Sequence, residues 1–178
     1  MTDTELDAES ARCAVLTYRE GLLSAVGHDL ELGVERFTLS VRPDLSGVEG
    51  CFDPSSLRVV ATRKGDRTGP PLPPRDARHV ERTARRMLSE GGPIRFRSEE
   101  VIPTGDGWRI RGALTLNGVT APLTAVARRA GAHVVARARV HQPDFGIAPY
   151  RALLGALVVR PDVDVELRVP LVRLPHAG

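Results

Sequence analysis

Histidine and cysteine are the residue types of this chain that most readily carry out acid–base or metal chemistry, and it has five histidines and two cysteines. His28 stands directly before Asp29, which invites a catalytic interpretation. Neighbours on an extended chain point to opposite faces, however, so these two side chains cannot form a histidine–carboxylate dyad. We favour hydrogen bonds from both side chains to backbone groups near a bend. Contact of His28 with a ligand head group, or catalysis by His28, are the alternatives.

The other histidines lack metal-binding spacing. His133 and His141 share one face of a predicted strand but are eight residues apart, a separation of roughly 26 Å, too long for a shared ion. His79 and His176 have no second histidine four residues away, the spacing of a helical zinc site. The chain also contains no GxSxG, P-loop, GxGxxG or HExxH motif. We therefore predict no metal, no cofactor and no enzymatic activity.

The cysteines and the start of the chain bear on its compartment. Cys13 and Cys51 have no CxxC neighbour and no further ligands at zinc spacing. Residues 1–9 are acidic, whereas a secretory signal has a positive start and then an apolar stretch. We therefore expect reduced thiols and a cytoplasmic protein. The longest apolar run, residues 152–159, is far below the roughly 20 residues that span a bilayer, so we expect no transmembrane segment.

Basic residues gather in and beside a Pro/Gly-rich loop over residues 65–74. They are Arg63, Lys64, Arg67, Arg75, Arg78, Arg82, Arg85 and Arg86. Arginine donates paired hydrogen bonds to phosphate or carboxylate, so Arg75 and Arg78 are candidate contacts for a ligand head group. Acidic residues are interspersed, and Glu81 lies four residues before Arg85, so we favour a solvated face. The segment has no aromatic residues on which bases could stack, so nucleic acid is not a predicted partner.

Length and composition indicate one globular domain. The chain has 178 residues, 42% hydrophobic and 26% charged, with a formal net charge of only +3. These values are near the average of folded proteins and exclude disorder, collagen and coiled coil for the chain as a whole. We predict a disordered or loosely held N-terminus over residues 1–11, one domain over residues 12–174 and a tail over residues 175–178.

Alternation of apolar and polar residues predicts strands along most of the chain. The clearest are 94–98, 108–117, 123–127, 134–141 and 163–171, and Asn117-Gly118 predicts a hairpin turn between the second and third. Residues 12–18, 30–41 and 57–62 are further candidates, with a change of phase between Val34 and Phe37. Hairpin-like spacing without crossover helices favours an antiparallel sheet. We predict an all-β fold of about eight strands in a closed or nearly closed barrel, with a sandwich as the alternative.

One helix is predicted over residues 76–90, and we place it at a mouth of the barrel. Val80, Ala84, Met87 and Leu88 recur at helical spacing and form an apolar stripe. Asp76 can cap its start, and Gly91-Gly92 ends it.

The inward phase of the predicted strands carries unusually small side chains. They include Ala61, Gly112, Ala125, Ala127, Ala136 and Ala138. An eight-stranded barrel either fills with side chains or holds a small ligand, and the volume of the inward residues decides which. Small residues favour a cavity, whereas a tightly packed helix or crossing strand would use the same space. A cavity of this composition would suit a hydrocarbon tail.

Several segments together resemble the YceI-like family. They are Gly27-His28-Asp29-Leu30, Ile94-Arg95-Phe96-Arg97-Ser98, the hairpin from Leu114 to Leu123, Asp144-Phe145-Gly146-Ile147-Ala148-Pro149-Tyr150, and the final strand after residues 155–159. The resemblance implies a lipocalin-like antiparallel barrel whose interior binds a polyisoprenoid, a quinone tail or a similar lipid, without a catalytic centre. Many members are exported, and this chain departs from them because it shows no signal peptide.

We therefore predict non-enzymatic carriage or sequestration of a long-chain amphiphile. The predicted cavity wall is Ile94, Phe96, Trp108, Ile110, Leu114, Ala125, Ala127, Ala136 and Ala138. Phe145 and Tyr150 are predicted to shape the entrance, and His28, Arg75 and Arg78 to meet the head group. The alternative is a protein-interaction module with a filled barrel and an arginine-rich outer face. The sequence leaves a homo-oligomer open.

Overall fold

A computed structural model describes residues 2–20, 28–152 and 157–175 of the protein. One helix, α1, spans Pro74–Leu88. The strands are β1 (Thr4–Asp7), β2 (Arg12–Thr17), β3 (Arg19–Glu20), β4 (Asp29–Val34), β5 (Phe37–Val41), β6 (Val48–Phe52), β7 (Leu57–Lys64), β8 (Arg67–Thr68), β9 (Ile94–Thr104), β10 (Gly107–Leu116), β11 (Val119–Ala130), β12 (His133–His141), β13 (Arg151–Ala152), β14 (Leu157–Val159) and β15 (Asp162–Pro170).

The strands form an antiparallel sheet, as predicted, but its size and closure differ from the prediction. Among the described residues one sheet has 12 strands, in the order β1-β5-β6-β9-β10-β11-β12-β15-β2-β4-β7-β8, and a second sheet has the order β13-β14-β3. The expectation was a closed or nearly closed barrel of about eight strands. The large sheet instead has 12 strands and is not closed, with β1 and β8 at its edges, so the strand number and the closure are wrong. Part of the difference in strand number arises because the predicted strand 30–41 is two strands, β4 and β5. Between them the Arg36 N–H donates to the Ser56 hydroxyl oxygen at 3.0 Å and not to a neighbouring strand.

The N-terminal segment also differs from the expected loosely held tail. Residues Thr4–Asp7 form β1, which pairs with β5 in a register that places Leu6 opposite Leu39. Leu6 is only 3% exposed and belongs to the core together with Ala11. Burial of one apolar side chain and pairing with an available strand edge therefore hold this segment in place.

The hairpins from β9 to β12 follow the predicted alternation. The turn between β10 and β11 is confirmed at Asn117 and Gly118, whose φ angles of 52° and 75° suit the two-residue turns that match strand twist. Ile110 lies opposite Ala125, and Ala127 lies opposite Ala136, so inward residues of three strands face one interior. This regularity explains why period-2 patterning located these strands.

Helix α1 covers the edge of β7 that has no strand partner over its first half. Residues Leu57–Ala61 pair with β4 on one side only among the described strands. On the other side, the Val59 N–H donates to Glu81 Oε1 at 3.0 Å, and Arg85 Nη2 donates to the Leu57 carbonyl oxygen at 3.3 Å. Two side chains of the helix thus satisfy backbone groups that a neighbouring strand would bond in a closed barrel.

The helix begins two residues before the predicted start and ends two before the predicted end. It starts at Pro74, where a missing N–H costs nothing, and Asp76 lies inside its first turn and not at the cap. A 3-10 turn over Ser89–Gly91 follows, and Gly92 leaves the helix with a φ of 71°. Among the described residues, no helix is long and apolar enough to span a membrane.

Candidate ligand cavity

The inner face of the large sheet and the apolar stripe of α1 enclose a cavity of about 510 Å³. Its wall is mostly aliphatic and aromatic. All nine residues of the predicted wall line it, namely Ile94, Phe96, Trp108, Ile110, Leu114, Ala125, Ala127, Ala136 and Ala138. The interior is therefore not filled, in contrast to the barrel that the interaction-module alternative requires.

Four alanines of β11 and β12 create much of this space. Ala125 lies opposite Ala138 and Ala127 opposite Ala136, so two adjacent cross-strand pairs each present only methyl groups to the interior. Larger residues at cross-strand positions would reach into this volume. Ala61 and Gly112, which share the inward phase in the sequence, do not line the cavity. At Gly112 the Arg97 carbonyl takes the place where a Cβ would stand, so this glycine serves close packing of the strands.

The helix closes one side of the cavity. Val80, Ala84, Met87 and Leu88, which form the apolar stripe, line it together with Leu72 of the preceding loop. Met87 and Leu88 also pack on the cluster that contains Leu114 and Leu116. None of the residues of α1 is itself buried, so the helix is a cover on the cavity and not part of a solid core.

The C-terminal end of the cover is wedged against a hairpin turn. A Cβ at Gly91 would overlap the backbone of Asn117, which shows how closely the two segments approach. Asn117 in turn donates from Nδ2 to the Phe145 carbonyl oxygen at 3.2 Å. Gly91, the β10–β11 turn and the segment at Phe145 are therefore packed as one unit.

The structure places the two predicted entrance residues differently. Tyr150 lines the cavity and is 37% exposed, a position at its boundary with solvent. Phe145 is 2% exposed, packs in the cluster with Leu114, Leu116 and Val140, and does not line the cavity. Its ring supports the wall from behind.

Polar residues line the cavity near Tyr150, since Arg19 pairs with Val159 and the Val159 N–H donates to the Tyr150 carbonyl oxygen at 3.0 Å. Other polar members of the lining are Asp53, His79, Thr83, Arg137 and Gln142. His28 is exposed and lines the cavity, as does Arg19. The Arg19 N–H donates to Asp29 Oδ1 at 2.9 Å, and its guanidinium lies 3.6 Å from the same oxygen. The Asp29 carboxylate thus accepts a hydrogen bond from a backbone N–H, and the guanidinium of Arg19 lies beside it.

Sequence reasoning missed Arg19, although a signal was present. Cys13, Val15, Thr17 and Arg19 alternate along β2 and into β3, and all four line the cavity. Extending the period-2 pattern past Tyr18 would have found the arginine. Burial raises the pKa of the Cys13 thiol to about 12, so this wall position is an inert apolar group at neutral pH.

Arg75 and Arg78 are not among these polar residues. Both are exposed and neither lines the cavity, whereas their neighbours His79 and Val80 do. In the part of the chain that the structure describes, no group of three or more His, Cys, Asp or Glu side chains could hold a metal ion. Cys13 and Cys51 are both free thiols.

On the outer face of the sheet, Tyr18, Asp164 and Arg139 form a hydrogen-bonded cluster. Tyr18 Oη donates to Asp164 Oδ2 at 2.7 Å, and Arg139 donates from Nε and Nη2 to both carboxylate oxygens at 2.9 and 3.0 Å. The hydrogen bonds from Arg139, and then that from Tyr18, hold the pKa of Asp164 below its ordinary value against the opposing effect of burial. Burial and the bond to this carboxylate raise the pKa of Tyr18 to about 12. The cluster ties the end of β2 to the β12–β15 pair.

Comparison with known proteins agrees with this architecture. The family model described as YceI-like domain matches residues 89–171. The crystal structure of BcnA from Burkholderia cenocepacia is similar with a TM-score of 0.58 at 12% identity, covering 92% of this chain and 98% of that chain. A mutant CJ YceI protein gives a TM-score of 0.46 at 10% identity, covering 76% of this chain and 82% of that chain. No curated protein sequence matches the chain. The likeness to BcnA shows a shared fold.

Proposed function

We propose that this chain, which belongs to the YceI-like family, holds a long-chain amphiphile in its cavity and carries or sequesters it without catalysing a reaction. The observation that carries the proposal is the cavity of about 510 Å³, walled by aliphatic and aromatic side chains under an amphipathic helix. Such a volume is within the range of cavities that bind small molecules. A polyisoprenoid, a quinone tail or a similar lipid has the matching chemistry.

Burial of the tail provides the affinity in this proposal. Each methylene removed from water contributes about 0.8 kcal/mol, so two or three five-carbon units contribute on the order of 8 to 12 kcal/mol before ordering costs. The paired alanines of β11 and β12 leave the space that the tail occupies. Apart from Arg19, Asp53 and Arg137, the lining residues carry no fixed charge, so selectivity for the tail rests on its length and shape.

The head group lies near Tyr150 in this proposal. His28 and Arg19 supply donors there, and Tyr150 borders the opening. An arginine already oriented by Asp29 gives a quinone oxygen, phosphate or carboxylate a directed partner. Arg75 and Arg78 lie on the opposite side of the helix from the cavity wall and have no part in this contact.

Extraction of the purified protein with organic solvent, followed by mass spectrometry, tests the proposal directly. We expect an amphiphile with a long apolar tail. Added isoprenoid alcohols of increasing length should raise the Tm progressively, because binding to the folded state alone stabilises it. Repeated extractions without an amphiphile, together with no dependence of Tm on tail length, would reject the proposal.

A further inference from the structure

Helix α1 presents three chemically distinct faces. At about 100° per residue, Val80, Ala84 and Met87 form one face, which lines the cavity. Glu81 and Arg85 form a second, which bonds the backbone of β7. A third face, centred about 180° from the apolar one, is the basic stripe, which consists of Arg75, Arg78, Arg82 and Arg86. All four arginines are exposed.

The basic stripe differs from the arginines on much of the outer sheet in how its charges are compensated. Arg137 lies 2.8 Å from Glu166, Arg139 lies 2.9 Å from Asp164, and Arg111 lies 3.1 Å from Glu100. By contrast, Arg75, Arg78 and Arg82 have no carboxylate within 4.0 Å among the residues that the structure describes. These three guanidinium groups point into solvent with their charge uncompensated at close range.

The segment before the helix increases this positive charge. Lys64 and Arg67 are both exposed and stand at the two sides of the β7–β8 turn. Fewer acidic than basic side chains are exposed in the same stretch. Asp66 and Asp76 are exposed, whereas Glu81 is turned toward β7. The outside of the cavity cover is therefore a basic surface on a domain whose overall charge is only +3.

We propose that the basic stripe docks on the surface of an anionic lipid bilayer. Its side chains are flexible cations with no aromatic anchor between them, which suits a fluid, negatively charged plane. A protein hot spot combines arginine with buried Trp or Tyr anchors, and a single-stranded nucleic acid needs stacking platforms. Residues 65–92 contain no Phe, Tyr or Trp. Docking in this orientation places the cover of the cavity against the phase in which long-chain amphiphiles dissolve. The advantage of this orientation for ligand exchange rests on the proposed function, but the docking itself is measured without any bound amphiphile.

Co-sedimentation of the full chain with vesicles tests the inference. We expect binding to vesicles of phosphatidylcholine mixed with phosphatidylglycerol, little binding to phosphatidylcholine alone, and release as salt is raised to about 1 M, where charges are screened beyond roughly 3 Å. Each arginine near the surface contributes about fivefold to the partition coefficient, so the triple variant Arg75→Gln/Arg78→Gln/Arg82→Gln should bind about 100-fold more weakly. Glutamine retains helix propensity, and an unchanged Tm would show that the fold is intact.

Two matched variants separate bilayer docking from other causes. Arg12→Gln/Arg95→Gln/Arg109→Gln removes the same charge from exposed positions on the sheet and should stay within about threefold of the wild type, since it leaves the stripe in place. Arg75→Lys/Arg78→Lys/Arg82→Lys keeps the charge and should keep binding. Equal losses in the two glutamine variants, no preference for anionic vesicles, or loss of binding in the lysine variant would each overturn the inference. Vesicle binding by a protein that yields no amphiphile on extraction and whose Tm does not depend on tail length would instead reject the proposed function and leave the docking intact.

Discussion

The carboxylate of Glu81 accepts a hydrogen bond from the backbone N–H of Val59, with 3.0 Å between Oε1 and N. Val59 lies where the β4–β7 register shifts, so this N–H belongs to an irregular part of the ladder. The Glu81 side chain is only 14% exposed and also lies 3.6 Å from Arg85. One carboxylate thus joins the cover of the cavity to the open edge of the sheet.

Removal of this carboxylate should loosen the helix. Glu81→Ala leaves a half-buried N–H without its acceptor, which costs about 1 to 3 kcal/mol in the free energy of unfolding. Glu81→Gln keeps an acceptor oxygen and should lose less. Urea unfolding measures the stability, and hydrogen exchange of the α1 amides measures local opening. Glu90→Ala, at an exposed site just beyond the helix, is the control and should change neither the stability nor the exchange rates. If Glu81→Ala had the stability and exchange rates of the wild type, the hydrogen bond would not hold the helix in place.

A bulky residue at the alanine pairs should block ligand uptake. Ala125 lines the cavity, so Ala125→Phe puts a ring into the space that the proposed tail occupies. We expect that the Tm of this variant no longer rises with the tail length of added isoprenoid alcohols. The free energy of unfolding should fall by about 1 to 3 kcal/mol or less, because the ring enters open volume.

Val126→Phe is the matched control for this change. Val126 is the next residue on the same strand and is 37% exposed on the outer face. The same enlargement there should leave the dependence on tail length as in the wild type. A response to tail length that persists in Ala125→Phe would place the tail elsewhere.

The contact of Gly91 with the Asn117 backbone should be sensitive to a single methyl group. In Gly91→Ala the new Cβ would overlap backbone atoms that cannot rotate aside, so the turn or the end of the helix must shift, at about 1 to 3 kcal/mol. Gly105→Ala is a fitting control, because a Cβ there meets nothing within 4 Å and the residue has no positive φ. Chemical denaturation of both variants measures the difference. Similar stabilities would show that the helix end is not wedged as the structure indicates.

The Tyr18–Asp164–Arg139 cluster should shape stability at both ends of the pH scale. The pKa of Asp164 is lowered in the folded state, so its stabilisation is present above the ordinary value of 3.8 and is lost as pH falls below it. The pKa of Tyr18 is raised to about 12, so its contribution is present below the ordinary value of 10.0 and is lost as pH rises toward 12.

Urea midpoints measured across pH test both signs. Asp164→Asn should flatten the acid limb of the stability profile, and Tyr18→Phe should flatten the alkaline limb above about pH 10. Asp66→Asn, at an exposed site, should leave both limbs unchanged. If the two cluster variants kept the wild-type slopes, other groups would control the pH dependence.

The strands of the second half and the lining of the cavity could be predicted from the sequence because their causes are local. Alternation along a strand decides which side each residue takes, so Ile94, Phe96 and Ile110 were placed inward correctly. Asn117-Gly118 determined its own turn through the positive φ angles that both residues adopt.

Other features depended on partners distant in the chain. The buried position of Leu6 requires the edge of β5, and the position of Phe145 requires β10 and α1. Arg19 was overlooked because the predicted strand ended at residue 18, whereas the alternation of β2 continues into β3 of the second sheet. Arg75 and Arg78 were assigned to a head group because charge alone does not say which side of a helix faces the cavity.

The amino-acid sequence by itself determined the antiparallel β class, the single amphipathic helix and the small size of the inward side chains, since each follows from residue type and spacing over a few positions. Only the tertiary structure decided that the sheet stays open, that α1 bonds its free edge through Glu81 and Arg85, and that the alanine pairs leave a cavity. Whether a strand edge meets another strand or a helix, and whether small side chains leave a space or are packed against, depends on distances between segments far apart in the chain. Those distances are set by the packing of the whole domain and not by local pattern.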